Sequence, residues 1–259
     1  MNATINGLDL YYEIHGDGPT VLCVHGFPLS GALWTPVAER LADRCRLVVP
    51  DLRGHGRSAV APTATMGDFA DDVAGLLDTL DTQRTVVVGL SMGGYVAMEF
   101  YRRYGDRVEA LVLADTRAEA DTPEVVADRI NLADRVMTEG SSIIADGMLD
   151  ILFAPNAPSD LKKAWHDIMA ATPPAGVAAA LRGMAERPDS FGTLRTIHQP
   201  VLVVVGELDV ITPPTGARAM HAALPNGQLH IISDAGHMTP VENPDRFAFI
   251  LNQFLDSLS

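Results

Sequence analysis

Val86-Val87-Val88-Gly89-Leu90-Ser91-Met92-Gly93-Gly94-Tyr95 joins a β-branched run, a G-x-S-x-G pentapeptide and the start of a helical pattern. The chemistry behind that order is specific. A serine on a very tight strand-to-helix turn has its Oγ pushed out above the end of a sheet. Gly89 and Gly93 allow neighbouring backbone to approach where a Cβ would clash. A helix starting near Met92 aims backbone N–H groups and a positive dipole end at a developing anion.

Outward from this stretch, short apolar runs alternate with helical patterns. Thr4-Ile5 and Leu8–Ile14 flank Asn6-Gly7, a hairpin signal because both turn residues tolerate positive φ. Thr20–Val24, Leu47–Val49, Thr85–Val88, Ala110–Leu113, Val201–Val205 and Leu229–Ile232 read as buried strands, apolar throughout rather than alternating. Phe69–Leu80, Met92–Tyr104, Gly216–Leu224 and Pro244–Leu255 read as helices. A hairpin followed by repeated βα units predicts an α/β fold: a mostly parallel sheet with helices on both faces.

The rhythm breaks between Arg117 and Pro188. Thr122-Pro123-Glu124 is a helix start, with Val126, Ile130, Ala133 and Met137 at helical spacing after it. Ile144, Met148 and Leu152 suggest a second helix. Leu161, Trp165 and Ile168 after Ser159 suggest a third, and Val177, Leu181 and Met184 after Thr172-Pro173-Pro174 a fourth. Residues 117–188 are therefore expected to form a helical cap, and residues 1–116 with 189–259 the sheet domain beneath it.

A serine hydroxyl needs a base, and the base needs a carboxylate to fix its tautomer. His237 follows the last strand and so shares the C-terminal sheet edge with Ser91. His230 lies within that strand, His198 at the opposite edge, His166 and His221 on helices, and His15 after the hairpin. Asp209, after Val201–Val205, is the expected acid, with Asp115 as its competitor and Glu207 a poorer match. The backbone N–H groups of Met92 and Phe27 are the expected oxyanion donors, since Pro28 has none. His25 reads as a hydrogen-bonding residue that holds its loop. Asp51–Ser58 reads as a turn held by salt bridges, there being no G-x-G-x-x-G or G-x-x-x-x-G-K phosphate signature.

These segments together resemble the α/β-hydrolase family: His25-Gly26-Phe27-Pro28, Asp51–Ser58, Gly89–Gly94, Gly206–Asp209 and Gly236-His237. The resemblance implies the α/β-hydrolase fold, with an eight-stranded sheet, its second strand antiparallel, and a helical cap after the sixth strand. Within the family the chain looks like bacterial short-chain carboxylesterases, on Leu113–Arg117 and the segment from Pro173 to Ser190. Enol-lactonases of aromatic catabolism and cofactor-free haloperoxidases (perhydrolases) are the alternative resemblances. Dehalogenases and epoxide hydrolases fit less well, because they resemble this fold with Asp where Ser91 stands. The expected activity is hydrolysis of a small-molecule carboxylic ester through an acyl-Ser91, with no cofactor and no metal.

The substrate pocket is expected between sheet and cap. Phe27, Leu29, Leu90, Ile211 and Met238 adjoin the catalytic loops, and Met137, Met148, Phe153, Trp165 and Met184 offer an apolar cap face. No cation is obviously placed for a substrate carboxylate. That favours neutral esters, with Arg117 and Arg187 the two residues able to reverse the inference.

Composition limits the rest. The chain has 259 residues, 47% of them apolar, and 19 Lys and Arg against 33 Asp and Glu, for a net charge of −14. Such a surface repels phosphate backbones and anionic lipid, so neither nucleic acid nor membrane is an expected partner. Cys23 and Cys45 are too few for a disulfide framework and read as buried thiols. No signal peptide or apolar span is visible, so a cytoplasmic protein, monomer or dimer, is expected.

Overall fold

The computed structural model describes residues 1–258. Eight strands form one sheet: β1 (Asn2–Ile5), β2 (Leu8–His15), β3 (Thr20–Val24), β4 (Arg46–Pro50), β5 (Thr85–Leu90), β6 (Val108–Ala114), β7 (Val201–Gly206) and β8 (Gly227–Ile232). Their spatial order is β1-β2-β4-β3-β5-β6-β7-β8. β2 pairs antiparallel with both neighbours and every other pairing is parallel, as the resemblance implied.

The helices are α1 (Thr35–Leu41), α2 (Met66–Thr79), α3 (Met92–Tyr104), α4 (Pro123–Glu139), α5 (Ser142–Leu152), α6 (Ser159–Ala171), α7 (Pro174–Ala185), α8 (Phe191–Leu194), α9 (Pro214–Ala223), α10 (Thr239–Glu242) and α11 (Pro244–Asp256). None of the described helices is long and apolar enough to cross a membrane.

Alternation within the buried strands sorts side chains onto two faces. Leu22, Val24, Val87, Leu111 and Val203 pack with Phe69, Val73, Val96, Phe100 and Met220 of α2, α3 and α9. Val21, Cys23, Val88, Val112 and Val204 pack with Val37 and Leu41 of α1 and Phe247, Leu251 and Phe254 of α11. Cys23 and Cys45 are free and buried on this second face. The sequence reading assigned no helix to Thr35–Leu41. Its two turns offer only Val37, Ala38 and Leu41 as a stripe, too short for periodicity to register.

The segment between β6 and β7 holds four helices of substantial length. α4 packs on α7 and α5 on α6. Thr122 caps α4 as expected, its hydroxyl accepting from Val125 N at 3.4 Å. Ser159 is the first residue of α6 rather than its cap. Met137 corrects the expected cap face, since it is 54% exposed. The buried stripe of α4 is Ala133 and Val136, with Arg129 half-buried one turn earlier, so Ile130 and Met137 turn outward.

Candidate active site

Ser91 stands between β5 and α3 at φ 55°, ψ −115°, a left-handed conformation rare for a residue with a side chain. Holding it costs about 1–3 kcal/mol, which the surroundings must offset. They do so by close packing. A Cβ on Gly89 would lie 2.1 Å from Gly93 O, and one on Gly93 would lie 2.2 Å from Val24 O. Ser91 N donates to Ala114 O at 2.9 Å, and the Thr116 hydroxyl donates to Ser91 O at 2.7 Å. The serine remains partly exposed at the C-terminal edge of the sheet.

His237 and Asp209 meet at that edge, each 2% exposed. His237 Nδ1 lies 2.8 Å from Asp209 Oδ2. Asp209 Oδ1 accepts from Ile211 N (2.8 Å) and Thr212 N (2.9 Å), and the Thr212 hydroxyl donates to Oδ2 at 2.6 Å. Burial alone would push the Asp209 carboxyl up. The facing His237 and the Thr212 donors outweigh it and hold the carboxyl below its ordinary value. A carboxylate in this state fixes the imidazole with Nδ1–H toward Asp209 and leaves Nε2 free for a proton.

Asp115, the competing acid, is buried at the end of β6 and accepts from Gly206 N (2.8 Å) and from the Thr239 hydroxyl. Burial first, then the charge of Asp209, push its carboxyl well above the ordinary range. These contacts make it a brace between β6, β7 and α10, and His237 pairs with Asp209 instead.

Phe27 follows β3 and Met92 opens α3. Among the described residues, neither backbone N–H donates to a protein acceptor, so both stay open to an anion. His25 behaves as its sequence context suggested. Leu52 N donates to Nε2 at 3.0 Å, and Nδ1 lies 2.8 Å from Gly26 O, so the ring bridges the Phe27 loop to the Asp51–Ser58 turn. That turn is held by charge. Asp51 accepts from Gly31 N and Arg57 N, and Arg53 makes two 2.6 Å bonds to Asp72.

Residues 21–248 match the family model described as the Alpha/beta hydrolase family. The chain belongs to the alpha/beta hydrolase family. A thermophilic esterase from Thermogutta terrifontis, solved with malate bound, shares 42% identity over 100% of this chain and 98% of its own, with a TM-score of 0.96. The enol-lactonase from Burkholderia xenovorans LB400 shares 28% identity over 99% of this chain and 100% of its own, with a TM-score of 0.90. The pimeloyl-[acyl-carrier protein] methyl ester esterase of Chromobacterium violaceum is 29% identical over 96% of this chain and 99% of its own length.

Around the site of this alpha/beta hydrolase, the expected pocket residues separate into two packed groups. Leu29, Leu90, Phe153, Trp165 and Met238 are buried in one cluster, and Met184 in the other, together with the expected oxyanion donors Phe27 and Met92. Met148 touches both, and Ile211 is half-buried. Met137 stands apart from both, on the outer face of α4.

Two polar side chains escaped the sequence reading. Thr212 reaches both members of the Asp209–His237 pair, its hydroxyl 3.3 Å from His237 Nδ1. Glu242 accepts from Gly236 N (2.9 Å) and Met238 N (3.1 Å), the amides flanking His237, and from Ala154 N (2.7 Å) after α5. The only sequence signal was spacing: Thr212 three residues after Asp209, and Glu242 five after His237.

Proposed function

We propose that the protein is a serine carboxylesterase acting on short-acyl esters of small molecules. The observation that carries this reading is the strained Ser91 at the same sheet edge as the buried 2.8 Å Asp209–His237 pair. His237 takes the Ser91 proton as Oγ attacks the ester carbonyl. The Phe27 and Met92 amides receive the oxyanion, and each such donor is worth about 3–4 kcal/mol in the transition state. His237 then protonates the leaving alcohol, and water activated by His237 releases the acid from acyl-Ser91. Asp209 keeps the imidazole in the required tautomer. No metal or organic cofactor takes part. Residues 117–188 act as a cap whose Met148, Phe153, Trp165 and Met184 border the acyl pocket with Leu29, Leu90, Ile211 and Met238.

An aryl organophosphonate tests the chemistry. It is expected to add covalently at Ser91, as read by peptide mass spectrometry, and an intact fold with no adduct refutes the serine mechanism. A panel of p-nitrophenyl acyl esters beside an enol-lactone tests the substrate class. Uniformly slow esters with efficient lactone turnover would reverse the assignment in favour of the enol-lactonase reading.

A further inference from the structure

Ser91, Asp209 and His237 stand on three separate loops, after β5, β7 and β8, and each strand ends before the residue it delivers. Regular sheet pairing therefore leaves their mutual positions open. β6 lies between β5 and β7 in the sheet. Its C-terminal end, Ala114-Asp115-Thr116, is thus adjacent to the nucleophile loop on one side and the acid loop on the other.

This tripeptide grips all three loops. Ala114 O accepts from Ser91 N at 2.9 Å and the Thr116 hydroxyl donates to Ser91 O at 2.7 Å, so the nucleophile's backbone is held from both sides. A Cβ on Gly94, in the first turn of α3, would lie 2.5 Å from Thr116 Oγ1, so the two segments are also in direct contact. The Asp115 carboxyl serves the other two loops. Its Oδ1 accepts from Gly206 N at 2.8 Å, ahead of Asp209, and its Oδ2 accepts from the Thr239 hydroxyl, just past His237. Gly206 in turn sits against the His237 loop, since a Cβ on it would lie 1.9 Å from Gly236 O. Asp115 has a positive φ of 44°, which Asp tolerates better than most residues. In that conformation its neighbours address Ser91 while its own side chain addresses β7 and α10. Asp115, Thr116 and Thr239 are all buried. Hydrogen bonds this deep cannot be exchanged for bonds to water, so losing one moves the loop it holds.

We infer that Ala114-Asp115-Thr116 is the hub that sets the mutual positions of Ser91, Asp209 and His237, with Asp115 and Thr116 as positioning residues for the reaction. The inference rests on the esterase reading for its chemistry. Thr116 acts through Ser91 O, and Asp115 acts through Gly206 and Thr239. Burial, and after it the charge of Asp209, keep the Asp115 carboxyl well above its ordinary range, so a neutral amide can take its place in the grip.

The test compares the wild type with Asp115→Ala, Asp115→Asn, Thr116→Val and Thr116→Ser, each checked for fold by circular dichroism. kcat and KM are measured on a p-nitrophenyl acyl ester, beside the rate of Ser91 phosphonylation. Asp115→Ala is expected to lower kcat about 10²-fold and Thr116→Val about tenfold, with KM within about twofold of wild type. Phosphonylation should slow in step, because the same Oγ attacks. Asp115→Asn keeps an oxygen for Gly206 N and an N–H for the Thr239 hydroxyl, and Thr116→Ser keeps the hydroxyl. Each is expected to recover most of the corresponding loss. Thr116→Val and Asp115→Asn keep the shape of the wild-type side chains, so both remain readable if Asp115→Ala does not fold. Wild-type kcat in Thr116→Val, an Asp115→Asn kcat about 10²-fold down, or a rise in KM with kcat intact overturns the hub. Phosphonylation of the wild type reports on the esterase reading separately. No adduct there refutes that reading, whereas a normal adduct with unchanged variants refutes the hub alone.

Discussion

Helix α7 meets the Gly54 and Ala64 segments by close backbone approach, whereas the α5–α6 pair, which has one such approach of its own at Gly236, is also hydrogen-bonded to the His237 and Pro28 loops. A Cβ on Gly176 would lie 1.9 Å from Gly54 O, and one on Gly183 would lie 2.0 Å from Ala64 O. The other pair is tied by Leu152 O, which accepts from His237 N at 2.9 Å, and by Ala154 N on Glu242. At its far end the Thr172 hydroxyl donates to Pro28 O at 2.9 Å and Ser141 Oγ donates to Thr172 O at 2.6 Å. Backbone contact fixes a position and tolerates no added volume. Polar ties to loops can be made and broken one at a time, and they end on the segments whose geometry the chemistry needs. One half of the insertion is thus foundation, and the other half is coupled to the site.

Added volume separates the two halves. Gly176→Val must displace backbone, so a stability loss of about 3 kcal/mol or more is expected. Gly147, inside α5, has no atom within 4 Å of an added Cβ. Gly147→Ala should therefore leave stability unchanged or raise it by up to about 1 kcal/mol. Thermal melts of the two variants decide the matter, and equal shifts would erase the distinction.

Glu242 tests the coupled half. Glu242→Ala leaves the amides of Gly236, Met238 and Ala154 without their acceptor and frees the His237 loop from α5. A drop of about 10²-fold in kcat is expected, because small displacements of a base near its reactant cost that much. KM should move little, and Glu242→Gln, which keeps one acceptor oxygen, should recover part of the loss. Equal rises in KM with kcat intact would mean that Glu242 shapes the pocket rather than positioning His237.

The part of the molecule carried by local pattern was legible in the sequence. Uninterrupted β-branched runs marked strands covered on both faces, and Gly89, Ser91 and Gly93 announced the turn at Ser91. Sheet-edge logic brought Asp209 and His237 together from residues 28 apart in the chain. What escaped depends on relations between segments. The outward turn of Met137 follows from Arg129 facing Asp121, an ion pair that apolar periodicity does not count. Glu242 and Thr212 act through hydrogen bonds to loop backbone, and no composition or period signals those. Arg117 and Arg187 stood out as cations, but only packing shows that both are paired with Asp121.

Thr212 serves the Asp209–His237 pair from outside the insertion. Thr212→Val removes a donor that holds the Asp209 carboxyl low, so its pKa should climb. With the carboxylate harder to ionise, the acid limb of the kcat/KM profile moves to higher pH. A pH–rate profile superimposable on wild type would make the hydroxyl merely structural.

The effect furthest from the chemistry concerns the ground on which α7 stands. His55 follows Gly54 and is fully buried, with its ring centroid 5.3 Å from that of His25 and 6.3 Å from that of Phe27. Its Nδ1 lies 3.0 Å from Arg53 O, while Nε2 is buried without a partner among the described residues. Burial, and after it the neighbouring His25, push the imidazole down to about 3. The ring is thus neutral in the fold, while in the unfolded chain it becomes charged below about 6.5. The unfolded state therefore binds more protons between these values, and stability must fall as pH drops through that window. The slope is about 1.4 kcal/mol per pH unit for this one group. His55→Gln removes the titration while keeping an amide N–H for Arg53 O. Urea unfolding at intervals from pH 7 to pH 4 should show the variant's stability declining less steeply by about one proton's worth. If the two slopes coincide, the seat of α7 is not the acid-sensitive half, and the loss on acidification belongs to the loops around His237 instead.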